Sequence, residues 1–249
     1  TILLSELGYN RQLSGPLAAR PDGDGLAFTL NEVAYLFDFA TGVRELDLAD
    51  YGFPAESWLS HPSYDPAGQR IAWAAYLPTP DDAPDYSSGV LITTAAGTFL
   101  NFIPGYQMSG LDGGFDPPAW SADGQWLAFQ ATSRSIPLWG TFVAEAEAQT
   151  AAFAHAGFYP RFAAGWVVVQ NFDTAPFGYL ALSTNGWTQV QLTPIERASV
   201  PPLVAPDNQS FLLPDIAGII WQFDGRSMAA TPLALPVGSN LLSWGAAAQ

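Results

Sequence analysis

Carboxylates interleaved with aromatic rings are the most chemically suggestive groups in this chain, and they concentrate between residues 50 and 116. Tyr51, Phe53, Trp58, Asp81, Asp82, Asp85, Tyr86, Tyr106, Asp112, Phe115 and Asp116 are the ones that loops could present together. Acids beside flat rings suit a basic patch on a protein, or a sugar stacked on a ring. A plainer account fits the same residues: the acids solvate the loops and the rings pack beneath them. Asp81-Asp82-Ala83-Pro84-Asp85 and Asp112-Gly113-Gly114-Phe115-Asp116 hold enough oxygens for calcium. Neither has EF-hand spacing, so no metal is assigned.

Catalytic chemistry finds less support. His61 and His155 are the two histidines, and neither lies near a Gly-x-Ser-x-Gly elbow, which the chain lacks. There is no phosphate-binding loop, dinucleotide fingerprint or His-Glu-x-x-His pair. There is no cysteine, which removes disulfides, thiolate nucleophiles and Cys-based metal centres. Asp22, Asp123 and Asp207 recur at equivalent positions, but each sits where a turn needs a capping side chain. The chain is therefore read as a non-enzyme without a cofactor. Paired carboxylates around a central tunnel, as in propeller glycosidases, remain the enzymatic alternative.

The charge narrows the partners. Twenty-three acids against eight basic residues, every one an arginine, give −15 at neutral pH. Such a chain repels a phosphate backbone and an anionic membrane surface, so nucleic acid is excluded and neutral or basic proteins are favoured. No apolar run approaches the roughly 18 residues of a membrane span. The chain starts at Thr1 rather than Met, which is read as a trimmed product.

The elements that must position these groups are short strands. Leu17–Gly23 leads into Leu26-Ala27-Phe28, and Pro62–Gly68 leads into Ile71-Ala72-Trp73. The pattern recurs at Pro118–Phe129, Pro160–Val168 and Pro202–Leu213. Anchors at Pro16, Pro62, Pro118, Pro160 and Pro202 step by 46, 56, 42 and 42 residues. A strand-rich period of about 40–45 residues indicates four-stranded propeller blades. Thr41-Gly42, Ala96-Gly97, Asn185-Gly186 and Asp224-Gly225 mark a hairpin late in four of the repeats. In the third, Ala144-Glu145-Ala146-Glu147-Ala148 fits either a looser hairpin or one helical turn.

These features predict a single all-β domain over 1–249, a β-propeller of four-stranded antiparallel blades. Six blades are expected, with five as the alternative. The last would be shared between the termini, taking outer strands from Leu3–Ser14 and an inner strand near Leu242. Propeller topology sends the Asp-Gly and Asn-Gly turns to one end of the strands. The long segments Ala49–His61, Leu77–Ser88 and Pro104–Pro117 go to the other. Long ordered loops on a rigid scaffold commonly carry binding.

The Pro-x-Trp-Ser-x-Asp-Gly-x-x-Leu-Ala-Phe pattern of Pro118–Phe129 resembles the repeats of TolB-type β-propellers. The likeness holds well at Pro16–Phe28 and Pro202–Leu213 and is weaker at Pro62–Trp73 and Pro160–Val168. The resemblance implies a six-bladed, extracytoplasmic protein that serves as a protein-binding platform, and the chain is read as a scaffold or an accessory subunit of a larger assembly. Sialidase-type Asp boxes and WD repeats do not fit: the glycine after Asp123 falls one residue too early for the former, and Trp221-Gln222 lacks the Trp-Asp ending of the latter. The expected working surface is the long-loop end, with a carbohydrate ligand as the alternative to a protein.

Overall fold

The computed structural model describes residues 16–78, 88–108, 117–171, 178–185, 188–192, 202–205, 209–214, 219–227 and 229–233. They fall in two compact units, Thr1–Pro117 and Pro118–Gln249. The segments expected to share a sixth blade, Leu3–Ser14 and Leu242–Gln249, lie outside the described residues.

The first unit contains two sheets. One is β1 (Ala18–Ala19), β2 (Gly25–Leu30), β3 (Val33–Asp38) and β4 (Gly42–Glu45); the other is β5 (Trp58–Tyr64), β6 (Arg70–Tyr76), β7 (Gly89–Thr94) and β8 (Phe99–Pro104). A short strand, β9 (Tyr106–Met108), follows. The second unit contains three: β10 (Ala119–Trp120), β11 (Trp126–Ser133), β12 (Gly140–Glu145) and β13 (Ala152–His155); β14 (Phe158–Ala163), β15 (Trp166–Asn171), β16 (Gly178–Ser183) and β17 (Gln189–Gln191); and β18 (Leu203–Val204), β19 (Ser210–Pro214), β20 (Ile220–Asp224) and β21 (Ala229–Leu233). In each sheet four strands pair antiparallel in chain order, as in a propeller blade.

The sequence pattern explains the packing. The second strand of each sheet carries a run of apolar residues, and its middle is buried because both of its faces are covered. In β6, Ile71, Ala72, Trp73, Ala74 and Ala75 are all buried. Trp73 and Ile71 meet Ala27, Leu36 and Leu59 in a core between the two sheets of the first unit. In β15 the faces separate residue by residue. Val167 and Val169 pack with Ala128, Val143 and Phe162, whereas Val168 packs with Tyr179, Phe211 and Phe223. That is the two-residue period of a strand, and each buried valine contributes about 1.5–3 kcal/mol. Trp126, Trp166 and Trp221 lie half-buried against these cores.

Four of the five first-to-second strand turns share one closure; between β14 and β15 a two-residue turn, Ala164-Gly165, stands instead. Arg20 N donates to Gly25 O at 2.8 Å, Asp65 N to Arg70 O at 2.9 Å, Ser121 N to Trp126 O at 2.9 Å and Ala205 N to Ser210 O at 2.8 Å. In the three fully described loops a glycine takes the left-handed conformation that closes the bend, Gly23 at φ 82°, Gly68 at 67° and Gly124 at 68°. Asp22 and Asp123 cap their turns by accepting from the N–H groups of Asp24 and Gln125, each at 2.9 Å. The second repeat has Ala67 at that position, and its carboxylate sits two residues earlier. Asp65, buried, accepts from Gln69 N at 2.7 Å, Arg70 N at 3.0 Å and Arg70 Nε at 2.9 Å. Asp207 lies outside the described residues.

The late hairpins also form. In the third repeat Ala144–Ala148 is not helical: β12 runs to Glu145, a turn follows, and β13 pairs with a register shift between Thr141 and Phe142. Two first strands are bulged at equivalent places. His61 (φ 47°) precedes Pro62 and Tyr159 (φ 54°) precedes Pro160, and the pairing shifts register across each.

Candidate functional site

In the first unit the strand ends opposite the tight turns carry the longest connections. β6 stops at Tyr76 and β7 starts at Gly89; β8 stops at Pro104. One buried residue ties these connections together. The Ser88 hydroxyl accepts from Leu77 N at 3.2 Å, which closes the base of the β6–β7 connection. The Ser88 carbonyl accepts from Gly105 N and Tyr106 N, both at 3.1 Å, which anchors the segment leaving β8 to the same point. The adjoining Gly89 lets β7 and β8 approach closely, since a Cβ there would lie 2.0 Å from Ile103 O. Both ends of the β6–β7 connection and the exit from β8 are therefore joined at one residue. Nothing in the local sequence around Ser88 signals this, because its partners are 11 to 18 residues away.

Trp58 and Tyr76 form the floor beside this anchor. They are paired across β5 and β6, and their rings stack at 3.9 Å with planes 9° apart. Trp58 was expected in a loop, within Ala49–His61; the structure instead begins β5 at Trp58. The hairpin-like alternation of the strand was hidden by the His61-Pro62 bulge.

Tyr51 ends a 3₁₀ turn, Leu48–Tyr51, which Asp47 caps by accepting from Ala49 N at 2.9 Å, and Phe53 follows it. Their rings turn onto the outer strand β8. Tyr51 meets Phe99 at 6.0 Å, and Phe53 meets Phe102 edge-on at 5.0 Å. The Tyr51 hydroxyl donates to the Gly97 carbonyl. Burial, with the nearby Asp50 carboxylate, pushes the Tyr51 phenol above its usual range, against a smaller opposing effect of Arg44. These two rings thus brace the connection between the sheets. Tyr106 is buried in β9. Asp81, Asp82, Asp85, Tyr86, Asp112, Phe115 and Asp116 lie outside the described residues.

The histidines stand apart. His61 is buried and shares a 2.7 Å hydrogen bond between its Nδ1 and the Ser60 hydroxyl. His155 ends β13, where burial pushes its imidazole below the usual histidine range. No helix among the described residues is long and apolar enough to cross a membrane.

No protein-family model matches the chain, and no curated protein matches its sequence. Solved structures match its fold. Putative TolB from Agrobacterium tumefaciens aligns over 90% of this chain and 81% of its own, with a TM-score of 0.58 at 12% identity. TolB from Acinetobacter baumannii aligns over 88% of this chain and 53% of its own, with a TM-score of 0.53 at 13% identity. An oligogalacturonate lyase in complex with manganese aligns over 90% of this chain and 65% of its own, with a TM-score of 0.57 at 11% identity. At such identities the likeness is one of fold, a TolB-like β-propeller, and carries no chemistry with it. The described residues hold no group of three or more His, Asp or Glu side chains placed to bind a metal.

Proposed function

We propose that this chain is a non-catalytic binding propeller that engages a protein partner through the long-loop end of its second sheet. The observation that supports the reading is the shared anchor at Ser88, which ties both ends of the β6–β7 connection to the exit from β8, next to two acid- and aromatic-rich stretches of the sequence. The opposite end is closed by short capped turns and offers less reach. Asp81, Asp82, Asp85, Asp112 and Asp116, with Tyr86 and Phe115 among them, would meet a neutral or basic surface. In this reading the chain is an extracytoplasmic accessory subunit with six blades, the last shared by its termini.

The test replaces residues 79–87 with a short Gly/Ser linker. Partner chains that co-purify with the intact protein from its native source are identified, purified and recombined with both versions. Loss of binding with an unchanged circular dichroism spectrum supports the reading; full binding by the shortened chain rejects it. A sugar ligand is the competing reading, favoured by the half-buried Trp58 ring at the same end. Saturable quenching of tryptophan fluorescence by neutral oligosaccharides, absent in Trp58→Phe, would decide for it.

A further inference from the structure

A chain with twenty-three acids and eight arginines has few cations to spare. Arg44, exposed on β4, is one of them: among the described residues it forms no ion pair. Its guanidinium lies against the β7–β8 turn, where a Cβ on Gly97 would fall 2.3 Å from Arg44 Nη2. Only a glycine there, at φ +74°, leaves room for the guanidinium.

Arg44 borders a cleft of about 430 Å³ at the tight-turn end of the first unit. Arg20 borders it too, with Nε at 2.8 Å from Asp22 and Nη1 at 3.1 Å from Asp38. Leu36, Ala95 and Ala96 supply apolar lining, and the half-buried Tyr64 stands beside Arg20. Burial raises the Tyr64 phenol, so at neutral pH it keeps its proton and can donate.

The volume is at the lower end of the ligand-pocket range. An unpaired guanidinium presents a planar fork that matches a carboxylate with two parallel hydrogen bonds. Asp38 in the lining, with Asp22 bonded to Arg20 beside it, would repel a dianion such as phosphate. A single negative charge on an apolar body meets both constraints. We propose that this cleft binds a small monocarboxylate, with the carboxylate on Arg44 and the apolar body over Leu36, Ala95 and Ala96. The site is separate from the long-loop end and does not depend on the function proposed there.

The test titrates the full chain with benzoate, its neutral analogue benzamide and inorganic phosphate. Amide NMR follows the turns at Thr41–Arg44 and Ala95–Gly97. Benzoate should saturate with shifts confined to those turns, and benzamide and phosphate should bind at least about tenfold more weakly. Arg44→Gln should weaken benzoate by at least about tenfold with the melting temperature unchanged. Ala96→Phe, which fills the cleft from a turn, should abolish binding and keeps the proposal testable if the arginine variant fails to fold. Equal affinity for benzamide or phosphate, undiminished benzoate binding by either variant, or no saturable shift at all would overturn it.

Discussion

The indole of Trp58 lies flat on the phenol ring of Tyr76, 3.9 Å between centroids and 9° from parallel. The pair clamps the start of β5 to the end of β6, at the point where the chain enters its long connection. Trp58→Ala should lower stability by about 2 kcal/mol, and Trp58→Phe by less than half of that. Urea unfolding followed by circular dichroism measures both; an unshifted midpoint for the alanine variant would show that the stack does not hold this strand end.

Asp65 and Asp123 occupy related turns but different surroundings. Asp65 is buried and bonded to two backbone N–H groups and to the Arg70 guanidinium. Asp65→Ala should cost about 3 kcal/mol or more, because the remaining donors are left without their charged acceptor. Asp123 is exposed and accepts from Gln125 N and the Ser121 hydroxyl. Asp123→Ala should cost about 1 kcal/mol or less. Equal costs would contradict the structural distinction.

Stability should decline toward acid in two stages. Burial holds the His155 imidazole below its unfolded value, so just under about pH 6.5 the unfolded chain binds more protons than the folded one and stability falls. The second stage belongs to the turn carboxylates. Asp22 is held low first by the Arg20 guanidinium, Asp38 first by Ala40 N–H, and Asp224 first by Ser227 N–H. Their contribution is complete above about pH 4 and is lost as pH falls through their lowered values. Melting temperatures from pH 7 to 2.5 should show both slopes, and His155→Asn should remove only the upper one.

Gly89 tests the anchor at Ser88. A methyl group there would meet Ile103 O at 2.0 Å. Gly89→Ala should therefore destabilise by at least about 2 kcal/mol, by forcing β7 and β8 apart. Hydrogen exchange should show the loss first at the amides of Gly105 and Tyr106, which donate to Ser88. Protection at those amides equal to the unsubstituted chain would separate the close approach from the anchor.

Local chemistry made the turns and second strands readable. Asp123-Gly124 must bend, and Leu127-Ala128-Phe129 must be covered, whatever surrounds them. The site was less legible. Trp58 belongs to β5 because Tyr76, 18 residues later, gives it a partner, and the bulge at His61 disguises the strand. Tyr51 and Phe53 look like loop aromatics in sequence, yet their contacts are on β8, some 50 residues away. Arg20 reads as a turn residue, but its stem also packs on Gly68 in the next sheet's turn. Each miss is a contact between distant segments, which no local pattern encodes.

The repeated turn closure has an evolutionary side. Its defining bond runs between main-chain atoms five residues apart, and the residue that donates is Arg20, Asp65, Ser121 or Ala205. Side chains at that position are therefore free to change hands: two repeats use it for an ion pair, one as a cation and one as a carboxylate, another for a hydroxyl cap, and a fourth for nothing but a methyl group. Across the repeats, the same bend is closed with different letters, each with its own local partners. The turns behave as interchangeable parts, so exchanging residues 20–24 for residues 121–125, with Gly25 and Trp126 left in place, should give a folded chain. Duplicated repeats of this kind can lose their common spelling long before they lose their common shape.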